Sequence, residues 1–209
     1  MKKIEKDIKC RCCGKTYQAQ VIASRFIPDT YLDGKPLSDR DIPELYICPE
    51  CHYAAVDAVG GEIDADAKSV VGGDEYQRLI TSDSHVDRYK AALMSADENS
   101  ERYILQGLCW SYEAAGDDKA AAETRRRLAK VIAGDIGTAP KIDDILLYVE
   151  CMRRLGEFAE AGETLESISE EMEKAKGDYV YKIYSFEAAL VRRGDSEQHL
   201  SSEVPAYED

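Results

Sequence analysis

Two cysteine pairs limit what this chain can fold into more than any other feature. Cys10-Arg11-Cys12-Cys13-Gly14-Lys15 contains one C-x2-C step, and Cys48-Pro49-Glu50-Cys51-His52 contains a second. Two thiolates separated by two residues can face one ion from a single tight turn, and two such turns supply four sulfurs at tetrahedral positions. Gly14 allows the open backbone such a turn needs, and Pro49 stiffens the second turn. The 34 residues between Cys13 and Cys48 exceed the roughly 15–20 of compact sites, leaving room for an inserted loop. The expectation is a metal site at Cys10, Cys13, Cys48 and Cys51. Four cysteines close the coordination sphere, which makes such a site structural rather than catalytic. Zinc is placed ahead of iron, because thiolates suit both metals but nothing here suggests an electron-transfer protein. Cys12, between two proposed ligands, reads as a free thiol, with substitution for either ligand as the alternative. His52 reads as a neighbour of the site rather than a ligand. Cys109 and Cys151 fall within apolar stripes and read as core residues.

A redox C-x-x-C would require a thioredoxin-like βαβ context that is absent. The opening MKKIEKDIKC has no apolar stretch after its lysines, and no run approaches the roughly 18 apolar residues of a membrane helix. The chain is therefore expected to be cytoplasmic and not membrane-bound, and disulfides are disfavoured there.

Residues 1–60 read as short strands and turns, a zinc-ribbon-like metal-binding segment. Thr16–Ile22 is β-rich and alternating, Asp33-Gly34-Lys35-Pro36 is a turn, and Leu45-Tyr46-Ile47 is a short strand leading to the second pair. An acidic stretch follows Gly60-Gly61. From about Asp74 the period becomes helical. Apolar stripes run through Ile104, Leu105, Leu108, Cys109 and Tyr112, through Ile142, Ile145, Leu146, Val149 and Met152, and through Phe158, Ala161, Leu165, Ile168 and Met172.

Three segments align on a glycine: YEAAGDDKAA (112–121), MRRLGEFAEA (152–161) and LVRRGDSEQH (190–199). Gly116, Gly156 and Gly194 each end a stripe, where a left-handed residue is wanted, and Asp117 and Asp195 are candidate caps for a following helix. The pattern predicts tetratricopeptide-like antiparallel helical hairpins over residues 61–200, with 201–209 a flexible tail. The fold class is thus mainly α, with a small β segment at the N-terminus.

The net charge of −14 is uneven. Residues 1–60 carry nine basic and nine acidic groups, so the whole excess lies on 61–209. A polyanionic body repels phosphate backbones, so nucleic-acid binding by the helical part is not expected. Arg153-Arg154 and Arg192-Arg193 precede their glycines, where cations complement a helix C-terminus. A sharper reading makes them a basic clamp for an acidic peptide end. Arg125-Arg126-Arg127 reads as a solvated face, and His85 and His199 as isolated surface residues. No phosphate-binding loop, dinucleotide fingerprint, nucleophile elbow or H-E-x-x-H occurs.

These motifs resemble a bacterial family of unassigned function that pairs an N-terminal zinc-ribbon-like segment with tetratricopeptide-like helices. The resemblance rests on C-x2-C-G-K at 10–15, CPECHYAA at 48–55, and the LCWSYEAAGD and MRRLGEFAEA segments. The family has glycine where this chain has His52. The resemblance implies metal at the same four cysteines and supplies no reaction. The leading expectation is a structural-metal protein that binds a protein or peptide partner through its helices. A nucleic-acid-associated regulator acting through the ribbon, and an enzyme with an unrecognised site, remain alternatives.

Overall fold

The computed structural model describes residues 2–24, 29–57, 61–138 and 141–205. The chain is mainly helical, with a small antiparallel strand segment at its N-terminus, as the sequence predicts. Strands β1 (Lys2–Lys9) and β2 (Thr16–Ser24) form a hairpin in which Lys9 faces Thr16. Strands β3 (Tyr46–Ile47) and β4 (Ala54–Ala55) form a second, shorter one. The expectation of strands at 16–22 and 45–47 agrees with this within two residues. Strand β1 was not foreseen. Its sequence is largely charged; Ile8 is buried but Ile4 is exposed, so no alternation marks it.

Among the described residues there are nine α-helices: α1 (Ala65–Val71), α2 (Asp74–Ile80), α3 (His85–Met94), α4 (Glu98–Ala114), α5 (Asp118–Thr138), α6 (Ile142–Arg154), α7 (Phe158–Ser167), α8 (Ser169–Lys174) and α9 (Tyr179–Arg193). Helix α1 lies within the stretch read only as acidic. The Asp64 carboxylate accepts the Ala67 N–H at 2.7 Å and starts the helix, the ordinary N-cap role of aspartate.

The chain divides into two compact units. The first comprises residues 1–27 and 42–121, the second 28–41 and 122–209. In the first, α3 packs on α2, α4 and β4. Its buried cluster runs without interruption from Cys10, Cys48, Tyr53 and Ala54 to Tyr76, Leu79, Tyr89, Ile104 and Leu108. The cysteine turns therefore share a core with α1–α4. Each large apolar side chain fully buried there contributes about 1.5–3 kcal/mol.

In the second unit α9 packs on α6, α7 and α8. The stripe read as one helix over 158–172 is broken at Ile168 into α7 and α8, yet Ala161, Leu165, Ile168 and Met172 all remain buried. A turn between short helices preserved the inward face.

The three glycine turns obey one rule. Gly116, Gly156 and Gly194 have φ of +73°, +79° and +65°. The N–H one residue later returns to the first position of each aligned segment: Asp117 to the Tyr112 carbonyl at 3.0 Å, Glu157 to Met152 at 2.9 Å, and Asp195 to Leu190 at 3.1 Å. This is the six-to-one bond that closes a helix on a left-handed residue. Asp117 caps α5 through Ala120 N–H at 3.0 Å, as expected. Asp195 does not cap a helix. Its carboxylate accepts Glu197 N–H at 3.0 Å and the chain turns back, so that Leu200 bridges Tyr31. Of the segment 201–209, residues 201–205 are described. Ser201 N–H reaches the Thr30 carbonyl at 2.7 Å, Ser201 Oγ reaches Asp29 at 2.6 Å, and Val204 is buried.

Candidate metal centre

Both cysteine pairs sit in hairpin turns, the first between β1 and β2 and the second between β3 and β4. The turns are built alike. In the first, Cys10 N–H donates to Lys15 O at 2.8 Å and Gly14 N–H to Cys10 O at 3.0 Å. In the second, Cys48 N–H donates to Tyr53 O at 2.9 Å and His52 N–H to Cys48 O at 2.9 Å. Gly14 and His52 hold equivalent positions, with φ of +73° and +60°. Among the described residues, His52 alone is a non-glycine at positive φ. Histidine is one of the few side chains that enters this region with any frequency.

The turns bring the four predicted sulfurs together: the Sγ atoms of Cys10, Cys13, Cys48 and Cys51 lie within 4.8 Å of one another. Cys10 and Cys51 are 3.6 Å apart, and Cys13 and Cys48 3.8 Å. A tetrahedron of sulfurs about 2.3 Å from a central ion has an edge of about 3.8 Å, and these two separations are close to it. Backbone N–H groups point at the sulfurs: Cys12 and Cys13 at Cys10, Lys15 at Cys13, and Tyr53 at Cys51. Such donors favour thiolate over thiol. Burial opposes them and pushes the Cys10 and Cys51 thiols up. Cys13 is exposed and lies below its ordinary value; the slight burial it has opposes this, and the Lys15 N–H leads the groups that lower it. Burial, with the four thiols nearby, also pushes the Tyr17 phenol up to about 12. Bare thiolates packed this closely repel each other, and a divalent cation relieves that repulsion while replacing the protons. The donor set and spacing fit a metal ion, zinc included, and the four ligands leave no place for water.

Cys12 and His52 stand outside the group of four. Cys12 is half-buried against the core. The His52 ring faces helix α2, with Nδ1 2.7 Å from Gln77 Oε1. Cys109 and Cys151 are buried helix residues.

Arg153 does stand in the last turn of α6, where a cation was expected, but the reading of it as part of a surface clamp is overturned. Its side chain has 0 % exposure. Nη2 donates to Glu150 at 2.5 Å, Nε to Glu187 at 2.9 Å, and Nη1 to the carbonyls of Asp195 and Glu197 at 2.8 Å each. Arg125 is likewise buried, while Arg126 and Arg127 are exposed. His199 is not isolated: its ring nitrogens lie 3.2 Å from Asp195 and 2.8 Å from Glu203, and its ring stands perpendicular to that of Phe186. Glu150 and Glu187 were missed because an isolated glutamate on a helix gives no local sign of burial.

No helix among the described residues is long and apolar enough to cross a membrane. No family model matches the chain, and neither the curated proteins nor the solved structures contain a match. What stands is a mainly helical chain whose N-terminal turns gather four cysteines able to hold a metal ion.

Proposed function

We propose that this protein is a structural-zinc protein whose tetratricopeptide-like helical hairpins bind a protein or peptide partner. The observation that carries the metal half is the gathering of the Cys10, Cys13, Cys48 and Cys51 sulfurs within 4.8 Å of one another. No disulfide joins any of the seven cysteines, which is compatible with a reducing cytoplasm.

Support for the partner half comes from the second unit. Two of the glycine turns, at Gly156 and Gly194, lie in it 38 residues apart, and helical hairpins repeated at such spacing commonly present extended binding faces. A shallow groove in this unit is lined by Arg126 and Lys130 of α5, Tyr148 and Met152 of α6, and Glu157 and Glu160 just beyond the Gly156 turn. Exposed charge of both signs around a tyrosine and a methionine suits a peptide better than a phosphate backbone. This reading also fits the bacterial family that the cysteine motifs resemble.

The test is affinity purification of the full chain with metal analysis, beside an Arg126→Glu/Lys130→Glu variant. The expected result is one zinc per chain in both proteins and a co-purifying partner lost only in the variant. Absence of stoichiometric metal sinks the zinc reading. A protein that retains small molecules and no partner sinks the interaction reading.

A further inference from the structure

The second cysteine turn is held from outside by one short helix. Gln77, on α2, donates from Nε2 to the Cys51 carbonyl at 3.2 Å and to the Val71 carbonyl at 2.7 Å. With both amide hydrogens committed to carbonyls, Oε1 is left as the atom facing His52 Nδ1 at 2.7 Å. That nitrogen must therefore carry the proton and donate it. Tyr76, the preceding residue on α2, is fully buried. Its hydroxyl donates to the His52 carbonyl at 3.2 Å and accepts the Ala54 N–H at 3.0 Å. Four groups of residues 51–54 are thus engaged by two adjacent side chains. The first turn uses glycine at the position equivalent to His52, so the left-handed conformation alone does not call for histidine. What histidine adds over glycine is the arm that reaches Gln77.

We propose that His52, Gln77 and Tyr76 form a clasp that couples occupancy of the four-cysteine site to the order of helices α1 and α2. His52 acts here as a positioning residue. This rests on the metal reading above and deepens it. Groups just outside a coordination sphere orient the ligands, and their loss weakens metal binding about 10–100-fold. In the other direction, an ion that fixes Cys48 and Cys51 fixes the Cys51 and His52 carbonyls on which Gln77 and Tyr76 anchor. Gln77 then passes that order to the end of α1 through Val71. The ion would not merely staple two loops: it would set whether the first helices are docked.

The experiment uses the full chain with zinc affinity measured by competition against a chromogenic chelator, cobalt(II) absorption as a report on site geometry, and amide hydrogen exchange with and without zinc. His52→Gly keeps the backbone conformation and removes the arm; Gln77→Ala removes its partner; Glu75→Ala, on the exposed face of α2, is the control. The expected result is about tenfold weaker zinc binding and an altered cobalt spectrum in His52→Gly and in Gln77→Ala, with the double variant no worse than either single one. Glu75→Ala should bind as the wild type does. His52→Asn, which tolerates positive φ and keeps a polar arm, should recover part of the loss. Zinc should slow exchange across 65–80 in the wild type and lose that effect in His52→Gly. A His52→Gly protein that binds zinc as tightly as the wild type, or exchange across 65–80 that ignores zinc, overturns the clasp alone. A wild type that takes up no ion overturns the metal reading with it.

Discussion

Arg153 Nε donates to Glu187 Oε2 across 2.9 Å where neither side chain has more than 1 % of its surface exposed. Glu150, one helical turn before Arg153, completes the cluster at 2.5 Å. Two buried carboxylates thus share one buried guanidinium, with Arg154 4.0 Å from Glu150 as the next cation. The arginine also holds the carbonyls of residues 195 and 197, so one side chain joins α6, α9 and the returning C-terminal segment.

Removing one member of a buried ion cluster strands the others. Arg153→Ala should cost about 3–5 kcal/mol, whereas replacing Arg153, Glu150 and Glu187 together by apolar residues of similar volume should cost clearly less, since no charge is stranded and only the carbonyls of residues 195 and 197 lose their donor. Urea denaturation midpoints compare the two. A triple variant as unstable as the single one would contradict the argument.

The same cluster gives a pH dependence. Burial, followed by the charge of Glu187, pushes the Glu150 carboxyl well above its ordinary 4.5, with Arg153 opposing. Burial also raises Glu187, again against Arg153. Asp33 acts on Glu150 and His199 on Glu187 as weaker neighbours. A carboxyl raised in the folded state binds protons there more tightly than in the unfolded chain. Its contribution is complete below about pH 4.5 and is lost as pH rises through the folded value. Glu150→Gln, permanently neutral, should flatten the fall in melting temperature from pH 5 upward. An unchanged slope would assign that fall to other groups.

Metal stoichiometry distinguishes the five N-terminal cysteines. Cys10→Ser and Cys48→Ser should lose the ion and, because both residues lie in the shared core, loosen α1–α4 as well as the strands. Cys12→Ser should keep one equivalent. Native mass spectrometry with limited proteolysis reads both effects. Loss of metal in Cys12→Ser would redraw the ligand set.

Gly107 on α4 lies against Tyr89, and a Cβ there would overlap the tyrosine ring. Gly107→Ala should destabilise by about 1–3 kcal/mol. Adding Tyr89→Leu should recover part of this, although it removes the hydroxyl that donates to the Pro43 carbonyl at 2.7 Å. Thermal melts of the two variants decide, and a harmless Gly107→Ala would show that α3 and α4 can slide apart.

What the sequence disclosed follows the range of the forces involved. Cysteine turns and glycine helix ends are set by bonds spanning four to six residues, so Cys10–Cys13, Cys48–Cys51, Gly116, Gly156 and Gly194 could be read directly. The interior role of Arg153 could not, because its partners lie 3, 34, 42 and 44 residues away, while its nearest sequence cue was the helix end. His52 was legible in part. Its place where glycine is usual marked the position, but histidine there left the backbone shape open, and the hydrogen bond to Gln77 spans 25 residues and leaves no local mark. Asp195 misled because its capping chemistry is real but serves a turn.

The bridge between Tyr31 and Leu200, with Thr30 bonded to Ser201 171 positions later, bears on how the chain is made. Residues 28–41 emerge early in synthesis but belong to a unit whose remaining residues come last. They must wait through translation of the intervening helices, and closing so long a loop carries a large entropic cost. The second unit is therefore completed only when residues 200 and 201 have emerged. Early termination would leave an orphaned segment, and an excised fragment beginning at residue 122 would lack one of its own pieces.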